Sequence, residues 1–204
     1  MLKKVAVLVS GGGTNLQAII NAEKKGIIKS GTVSIVIANN PNAYALKRAQ
    51  KAGIKSVVIT KKQEGSQEAF EDKLIQTLTS ENIDLIVLAG FMSILSERFT
   101  KTFENKIINV HPSLIPSFCG KGYYGLKVHE EALKKGVKVT GATVHYVNEI
   151  PDGGQILLQK AVEIREGDTP EILQRRVMEE AEWILLPKAT AMVATRIKNE
   201  KTEK

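Results

Sequence analysis

A doubly wound α/β fold is predicted for this chain, with a mainly parallel sheet, helices on both faces and an antiparallel pair of strands near the C-terminus. Three observations support that prediction. Apolar runs alternate with helical patterns through the first sixty residues. These runs are continuously apolar, which is typical of parallel strands covered on both faces. Later strand-like segments instead alternate apolar and polar residues, as antiparallel strands do.

The N-terminal part supplies five strands of parallel type. The predicted order strand, helix, strand, helix, strand corresponds to VAVLVS, TNLQAIINAEKKG, TVSIVIAN, AYALKRAQKAG and KSVVI. A further helix, GSQEAFEDKLIQTLTSEN, precedes the fourth strand, IDLIVLAG. The fifth strand, KIINV, follows the short segment SILSERFTKTF.

The pattern changes after the fifth strand. A glycine and aromatic loop, SFCGKGYYGL, leads into a short helix, VHEEALKKG, and then to the antiparallel pair VKVTGATVHYVN and QILLQKAVEI. One long amphipathic helix closes the sequence, with Thr169 as its N-cap and Pro170 in its first turn. We expect one domain over residues 1–204, with a phosphate-binding half at 1–105 and a catalytic half at 106–204.

Composition limits the function classes. The chain has 204 residues, 43% hydrophobic and 25% charged, as in ordinary globular proteins. No apolar run approaches the roughly 18 residues that span a bilayer, and the first ten residues lack a signal-peptide pattern, so we expect a cytoplasmic protein and no membrane. The single cysteine, Cys119, and three scattered histidines give no metal-ligand spacing, so no metal is expected.

The net charge of +7 suits an anionic partner. Nucleic acid is disfavoured, because the lysines cluster on predicted helix faces, aromatic residues make up only 5%, and no nucleic-acid motif is present. The alternatives are solvated surface charge and a small substrate that carries phosphate.

The segments IINVHPSLIP and EIPDGG supply a candidate catalytic site. Asn109 and His111 lie two apart at the end of a strand and therefore share a face, and the second segment adds Asp152. An amide can hold a developing oxyanion, an imidazole can move a proton, and a carboxylate can orient the imidazole. This set favours acyl transfer, although a structural histidine in a stiff proline turn is the alternative.

A glycine loop, SGGGTN at residues 10–15, ends the first strand and opens the first helix. Backbone amides and the helix N-terminus can bind a phosphate there. The loop matches neither the dinucleotide fingerprint nor the Walker loop, so a nicotinamide dinucleotide is disfavoured. A tight turn that needs glycine only for its geometry is the alternative.

Five motifs, SGGGTNLQAII, VLAGFMSIL, INVHPSLIP, ATVHYV and PDGG, occur in order over nearly the whole chain. Together they resemble the glycinamide ribonucleotide formyltransferase family, which passes a formyl group from 10-formyltetrahydrofolate to the glycinamide amine in purine biosynthesis. The resemblance implies 10-formyltetrahydrofolate as co-substrate and a monomer or homodimer.

The same resemblance implies a role for each matching residue. Asn109 would stabilise the oxyanion, His111 would act as general acid, and Asp152 would raise the proton affinity of His111. Further matching positions are the phosphate loop at Gly13, Thr14 and Asn15, the ribose contact Glu182, and Thr143 as an assisting residue. His145 is a second candidate assisting residue, because it shares a strand face with Thr143.

The folate site implied by the resemblance is formed by two loops and one position on a helix. Its residues are Met92, Ser93, Ile94 and Leu95, with Asn148, Glu149, Ile150 and Pro151, and also Gln67. The apolar residues after the fourth strand are equally compatible with a core position.

The chain departs from the family pattern at several positions. Gln67 and Ser93 replace the usual arginines, so Lys121 or Lys127 would supply positive charge to the cofactor's glutamate tail. Trp183 follows Glu182 where histidine is usual, and one extra residue precedes Glu182 in the helix. We expect His129 to be solvated on an exposed helix, His145 to line the site or serve the structure, and Cys119 to be incidental.

Three rival functions remain. Formyltetrahydrofolate hydrolases use a similar Asn, His and Asp set but commonly carry an additional N-terminal regulatory domain. Methionyl-tRNA formyltransferases would need a C-terminal RNA-binding domain. A non-catalytic nucleotide-binding module would account for the glycine loop but not for Asn109, His111 and Asp152.

Overall fold

The computed structural model describes residues 1–200, in which seven strands form one sheet with the order β3-β2-β1-β4-β5-β6-β7. The strands are β1 Lys3–Val9, β2 Gly31–Ala38, β3 Lys55–Val58, β4 Leu85–Leu88, β5 Ile107–His111, β6 Val139–Tyr146 and β7 Ile156–Glu163. Strands β1 to β5 pair in parallel, whereas β5, β6 and β7 pair antiparallel. The predicted sheet is therefore confirmed.

Eight α-helices and one π-helical turn surround the sheet within residues 1–200. They are α1 Thr14–Lys24, α2 Tyr44–Lys51, α3 Lys61–Glu64, α4 Gln67–Ser80, α5 Glu97–Thr102, α6 Leu126–Lys135, α7 Pro170–Val177, the π turn Met178–Glu182 and α8 Trp183–Glu200. The short helix α3 is an addition to the predicted elements. The charged tail KNEKTEK ends outside the described residues.

Two hydrophobic cores cover the two faces of the sheet, which explains why its inner strands are continuously apolar. In β1, Val5, Val7 and Val9 belong to the core beneath α1 and α8, whereas Ala6 and Leu8 belong to the core beneath α4. Successive strand residues face opposite sides of a sheet, so a strand buried on both faces needs apolar residues throughout.

The predicted closing helix is interrupted. Thr169 caps α7 through its side chain, which accepts from the amide of Ile172, and Pro170 follows at the first helical position, as predicted. The π turn Met178–Glu182 then separates α7 from α8. None of the helices within residues 1–200 combines the length and the hydrophobicity required to cross a membrane.

Candidate active site

A cleft of about 810 Å³ lies at the carboxyl ends of the parallel strands. Strands β2 and β3 lie on one side of β1, and β4 and β5 lie on the other. The order in which strands are added to the sheet therefore reverses between β1 and β4, although the two strands are parallel. Loops that leave neighbouring strands in opposite directions open a crevice at that point, where ligands of such sheets bind. The Ser10 hydroxyl accepts a 2.8 Å hydrogen bond from the amide of Met92 and ties the two loops together.

Asn109 and His145 face each other across β5 and β6. The Asn109 side-chain amide lies 3.2 Å from Nε2 of His145. Nδ1 of His145 lies 2.7 Å from the carbonyl of Tyr146. Because a carbonyl only accepts, Nδ1 carries a proton, and in the neutral ring Nε2 accepts from the Asn109 amide. His145 therefore orients Asn109 and leaves one of its amide protons for another partner.

His111 contacts the loops on both sides of the cleft. Its Nε2 donates to the Phe118 carbonyl at 2.8 Å, and its Nδ1 lies 3.4 Å from Oδ2 of Asp152. Oδ1 of the same carboxylate lies 3.5 Å from Nε2 of His145, and the Gly120 amide donates to Oδ2 at 2.8 Å. The structure thus brings Asp152 together with Asn109 and His111, although Asn109 and Asp152 are separated by 43 positions in the sequence.

Two opposing effects act on the proton affinity of His111. Burial has the larger effect and lowers the pKa of His111 below its usual value. The Asp152 charge acts in the opposite direction and raises that pKa, which is the direction that the family resemblance implies. Burial works to raise the pKa of Asp152, but the polar groups around the carboxylate, His145, His111 and the Gly120 amide, outweigh burial and lower that pKa. Asp152 is therefore an ionised carboxylate near neutral pH.

The backbone around Asp152 has an uncommon conformation. Asp152 has φ of 56°, in the left-handed region that few residues other than glycine adopt. A side chain at Gly154 would collide with the backbone of Tyr146, so the loop can approach β6 only with glycine there. The PDGG segment thereby places the carboxylate against both histidines.

The glycine loop opens α1 at the other side of the cleft. Gly11, Gly12, Gly13, Thr14 and Asn15 all line the cleft. Gly13 caps α1 with φ of 68°, and a Cβ at this position would lie 2.6 Å from Cβ of Ala45. Both the conformation and the close contact require glycine, so the loop is shaped by more than a simple turn.

Asn15 connects this loop to the C-terminal helices. Its side-chain amide donates a 2.6 Å hydrogen bond to Oε2 of Glu182. Glu182 is fully buried, and burial raises its pKa to about 7 despite the hydrogen bond from Asn15. The π turn that ends at Glu182 accommodates the extra residue noted in the sequence, because a π turn adds one residue without changing the face of the following helix. Glu182 consequently lines the cleft.

The expected folate residues divide into two groups. Met92, Ser93, Ile94 and Pro151 line the cleft, and the side chains of Met92 and Ile94 are 52% and 69% exposed. Exposed apolar side chains at the mouth of a cleft suit a flat aromatic ligand. Leu95 was predicted to line this pocket, but it is 8% exposed and packs in the core beneath α4, so that prediction was wrong.

Two departures from the family pattern have structural partners. Gln67 donates to the Ile94 carbonyl at 3.0 Å and to Glu71 at 2.7 Å, so it supports the loop after β4 from outside the cleft. The Ser93 hydroxyl accepts a 2.8 Å hydrogen bond from Asn39. Lys121 lines the cleft, whereas Lys127 lies exposed on α6 outside the cleft lining.

The loop after β6 and Thr143 have mainly architectural contacts. The Asn148 side chain accepts from the amide of Ile150, and neither residue nor Glu149 is part of the cleft lining. The hydroxyl of Thr143 donates to the Ser113 carbonyl at 2.7 Å and accepts from the Ile115 amide at 3.1 Å. Thr143 therefore fixes the turn that follows His111.

His129 was expected to be solvated, and this prediction was wrong. It is fully buried beneath the cleft wall, and neither ring nitrogen has a hydrogen-bond partner within residues 1–200. Burial, with a smaller effect from His111, lowers its pKa to about 4. The i, i+3, i+4 spacing of His129, Ala132 and Leu133 is the sequence signal that was missed, because it marks one side of a helix.

Comparison with protein families gives a match over most of the chain. The model of the formyl transferase family, described as "Formyl transferase", matches residues 3–190. The trifunctional purine biosynthetic protein adenosine-3 of Gallus gallus is 45% identical over 192 residues, which cover 94% of this chain and 18% of that protein. The chloroplastic phosphoribosylglycinamide formyltransferase of Arabidopsis thaliana is 36% identical over 197 residues, covering 96% and 67%. The chain thus spans under a fifth of the length of the trifunctional relatives.

Solved structures give the same picture. Glycinamide ribonucleotide transformylase 1 from Symbiobacterium toebii superposes with a TM-score of 0.89 at 40% identity, over 95% of this chain and 88% of that chain. Phosphoribosylglycinamide formyltransferase from Coxiella burnetii, solved in complex with CHES, gives a TM-score of 0.87 at 39% identity, over 96% and 88%.

Proposed function

Since this chain belongs to the formyl transferase family, we propose that it transfers a formyl group from 10-formyltetrahydrofolate to the amine of glycinamide ribonucleotide in purine biosynthesis. The observation that carries the proposal is the convergence of Asn109, His111 and Asp152 in the cleft that the glycine loop also lines. Relatives named as phosphoribosylglycinamide formyltransferases support the choice of acceptor.

The cleft residues fit two ligands side by side. The glycine loop and the N-terminus of α1 offer backbone amides to a phosphate. The neighbouring loop after β4, with Pro151, offers apolar contacts to the ring system of the folate through Met92 and Ile94. The folate supplies an electrophilic formyl carbonyl, and Asn109, His111 and Asp152 line the same cleft.

In the proposed mechanism, the Asn109 amide binds the formyl oxygen and stabilises the negative charge that develops there as the acceptor amine attacks. The other N–H of the same amide donates to His145 and fixes the direction of the amide, so little reorganisation is needed at the moment of reaction. Stabilisation that grows with the developing charge lowers the barrier more than it tightens substrate binding.

His111 carries the proton. In the protonated ring, Nε2–H donates to Phe118 and Nδ1–H pairs with Asp152, so both neighbours favour the charged form. Burial favours the neutral form and keeps the pKa below its usual value. In this mechanism the ring takes a proton from the attacking amine and returns it to the leaving nitrogen, and its two neighbours stabilise the protonated form in between.

The glycinamide ribonucleotide would span the cleft from the glycine loop to Asn109, His111 and Asp152. Glu182 would accept hydrogen bonds from the ribose hydroxyls, because its carboxyl lines the cleft beside Asn15. Burial raises its pKa to about 7. Hydroxyl donors favour the ionised form once the acceptor binds.

The test is to follow deformylation of 10-formyltetrahydrofolate by the purified protein with and without glycinamide ribonucleotide. Turnover that requires the acceptor supports the transferase. Equal turnover without acceptor would show a hydrolase, and tight acceptor binding without turnover would show a binding module.

A further inference from the structure

Helix α2 holds the glycine loop through two carbonyl groups. The amide of Ala45 donates to the Gly11 carbonyl at 3.1 Å, and Nε of Arg48 donates to the Gly12 carbonyl at 2.8 Å. The first contact uses a backbone amide near the start of α2, and the second uses a side chain about one turn later.

These contacts fix the direction of the neighbouring amides. The peptide bonds of the loop are trans, and in a trans peptide the carbonyl and the N–H of the next residue point in opposite directions. Because the carbonyls of Gly11 and Gly12 point towards α2, the amides of Gly12 and Gly13 point away from it. That direction leads towards the cleft, which Gly12 and Gly13 both line.

Arg48 is itself held in place. Its Nη1 donates to the Gln17 side chain in the first turns of α1 at 3.2 Å, and its guanidinium lies 5.1 Å from the centre of the Tyr44 ring. A guanidinium presents several donors in a rigid plane, so it can bridge the loop and α1 at the same time. The side chain also adds positive charge beside a helix N-terminus that has no acidic residue in its first turn.

We propose that Arg48 is a positioning residue that aims the Gly12 and Gly13 amides at the acceptor phosphate and so sets the preference for a phosphorylated over a dephosphorylated acceptor. This inference rests on the proposed function for the identity of the acceptor. Arg48 acts from outside the cleft lining, through the loop, and takes no part in the transfer itself.

The test compares Arg48→Met with a matched control, Lys47→Met. Lys47 is the preceding cation on α2 and lies 5.7 Å from the same Tyr44 ring, but within residues 1–200 it makes no hydrogen bond to the loop. Both variants lose one positive charge. Only Arg48→Met loses the hydrogen bond to Gly12.

Steady-state kinetics are measured with glycinamide ribonucleotide and with its dephosphorylated ribonucleoside. Arg48→Met should lower kcat/KM about 10-fold or more for the phosphorylated acceptor only, because a charged hydrogen bond and a set of aligned amides are lost. The KM for the folate and the activity with the ribonucleoside should stay within about twofold of wild type, and Lys47→Met should do the same for both acceptors. Arg48→Lys, which keeps the charge without the planar fork, should retain only part of the preference.

Equal losses with both acceptors would overturn the proposal and indicate a general structural role. Equal losses in Arg48→Met and Lys47→Met would also overturn it, since net charge alone would then explain the effect. Unfolding midpoints of all variants are recorded so that a change in the folded fraction is recognised.

Binding of inorganic phosphate, measured by calorimetry, separates this proposal from the proposed function. A wild-type protein that transfers no formyl group but binds phosphate, with weaker binding in Arg48→Met, would remove the proposed reaction and leave the role of Arg48 intact. Formyl transfer with an unchanged acceptor preference and unchanged phosphate affinity in Arg48→Met would remove the role of Arg48 alone.

Discussion

Oδ2 of Asp152 lies 3.4 Å from Nδ1 of His111, a contact that joins the loop between β6 and β7 to the end of β5. The carboxylate is the main group that opposes the effect of burial on the imidazole. If His111 must gain a proton during the reaction, this contact decides how readily it does so.

Replacing Asp152 by asparagine should therefore lower kcat by about 10²-fold or more, the scale of a lost acid–base partner. The pKa of His111 should fall further, so the loss should grow as the pH rises. The measurement is a pH profile of kcat, with Asp72→Asn on the exposed face of α4 as the control. A variant with near-normal kcat across the pH range would rule out the acid–base role.

The glycine loop gives a second prediction. Gly13→Ala should weaken acceptor binding more than folate binding, because the new Cβ would lie 2.6 Å from Cβ of Ala45 and the left-handed backbone would be strained. Adding Ala45→Gly removes the contact with Cβ but leaves a 2.9 Å contact with the Cα at position 45 and the backbone strain, so the double variant should recover only part of the affinity. Calorimetry with each ligand separately checks this. Parallel weakening of both ligands would point to a damaged fold instead.

Glu182 gives a prediction about stability. Its pKa in the folded state is about 7, above its ordinary value of 4.5, so the folded protein binds this proton more tightly than the unfolded chain. The stabilisation is complete below pH 4.5 and disappears as the pH rises towards about 7, with an upper limit of about 3 kcal/mol.

Glu182→Gln should remove this pH dependence in the absence of ligands. Relative to wild type, the free energy of unfolding of the variant should increase between about pH 4.5 and 7, while its affinity for glycinamide ribonucleotide decreases. Denaturant titrations at several pH values measure the first effect. A constant difference between the two proteins over this range would contradict the assignment of a buried, titrating carboxyl.

For His129 we expect the free energy of unfolding to change with pH in the opposite direction. Its folded pKa of about 4 lies below the ordinary 6.5, so its contribution to stability is complete above pH 6.5 and is lost as the pH falls towards about 4. His129→Leu should reduce this loss of stability at low pH, because leucine does not take up a proton. Leucine also needs no hydrogen-bond partner at this buried position. Denaturant titrations between pH 4 and 7 test this. An unchanged loss of stability at low pH would show that His129 has the same proton affinity in the folded and the unfolded state.

Much of the sheet could be predicted because its inner strands are buried on both faces and its helices repeat at regular spacing. The same reasoning failed at His129, where a polar side chain occupies the buried stripe of α6 beside Ala132. Hydrophobic periodicity treats histidine as polar and therefore places it outside. The spacing of His129 relative to Ala132 and Leu133 marks the buried side of α6 only if the histidine is counted as a core residue.

The candidate catalytic residues, Asn109, His111 and Asp152, could be predicted from the sequence, but their relative positions could not. The sequence indicates an amide, an imidazole and a carboxylate, yet the antiparallel register that places Asn109 opposite His145 depends on β6. The hydrogen bond that His111 donates to the Phe118 carbonyl likewise depends on a loop whose path no motif predicts. The π turn that ends at Glu182 could not be predicted either, because an extra residue in a helix indicates an irregularity but does not specify its form.

In the proposed reaction the formyl group passes to the amine of an acceptor whose phosphate is held by the glycine loop. The most direct measurement supplies 10-formyltetrahydrofolate labelled with ¹³C in the formyl group, together with glycinamide ribonucleotide, and locates the label by NMR. The label should appear in the formamide of the acceptor, at a rate that depends on Asn109, His111 and Asp152. Label that appears as formate at the same rate with and without the acceptor would contradict it.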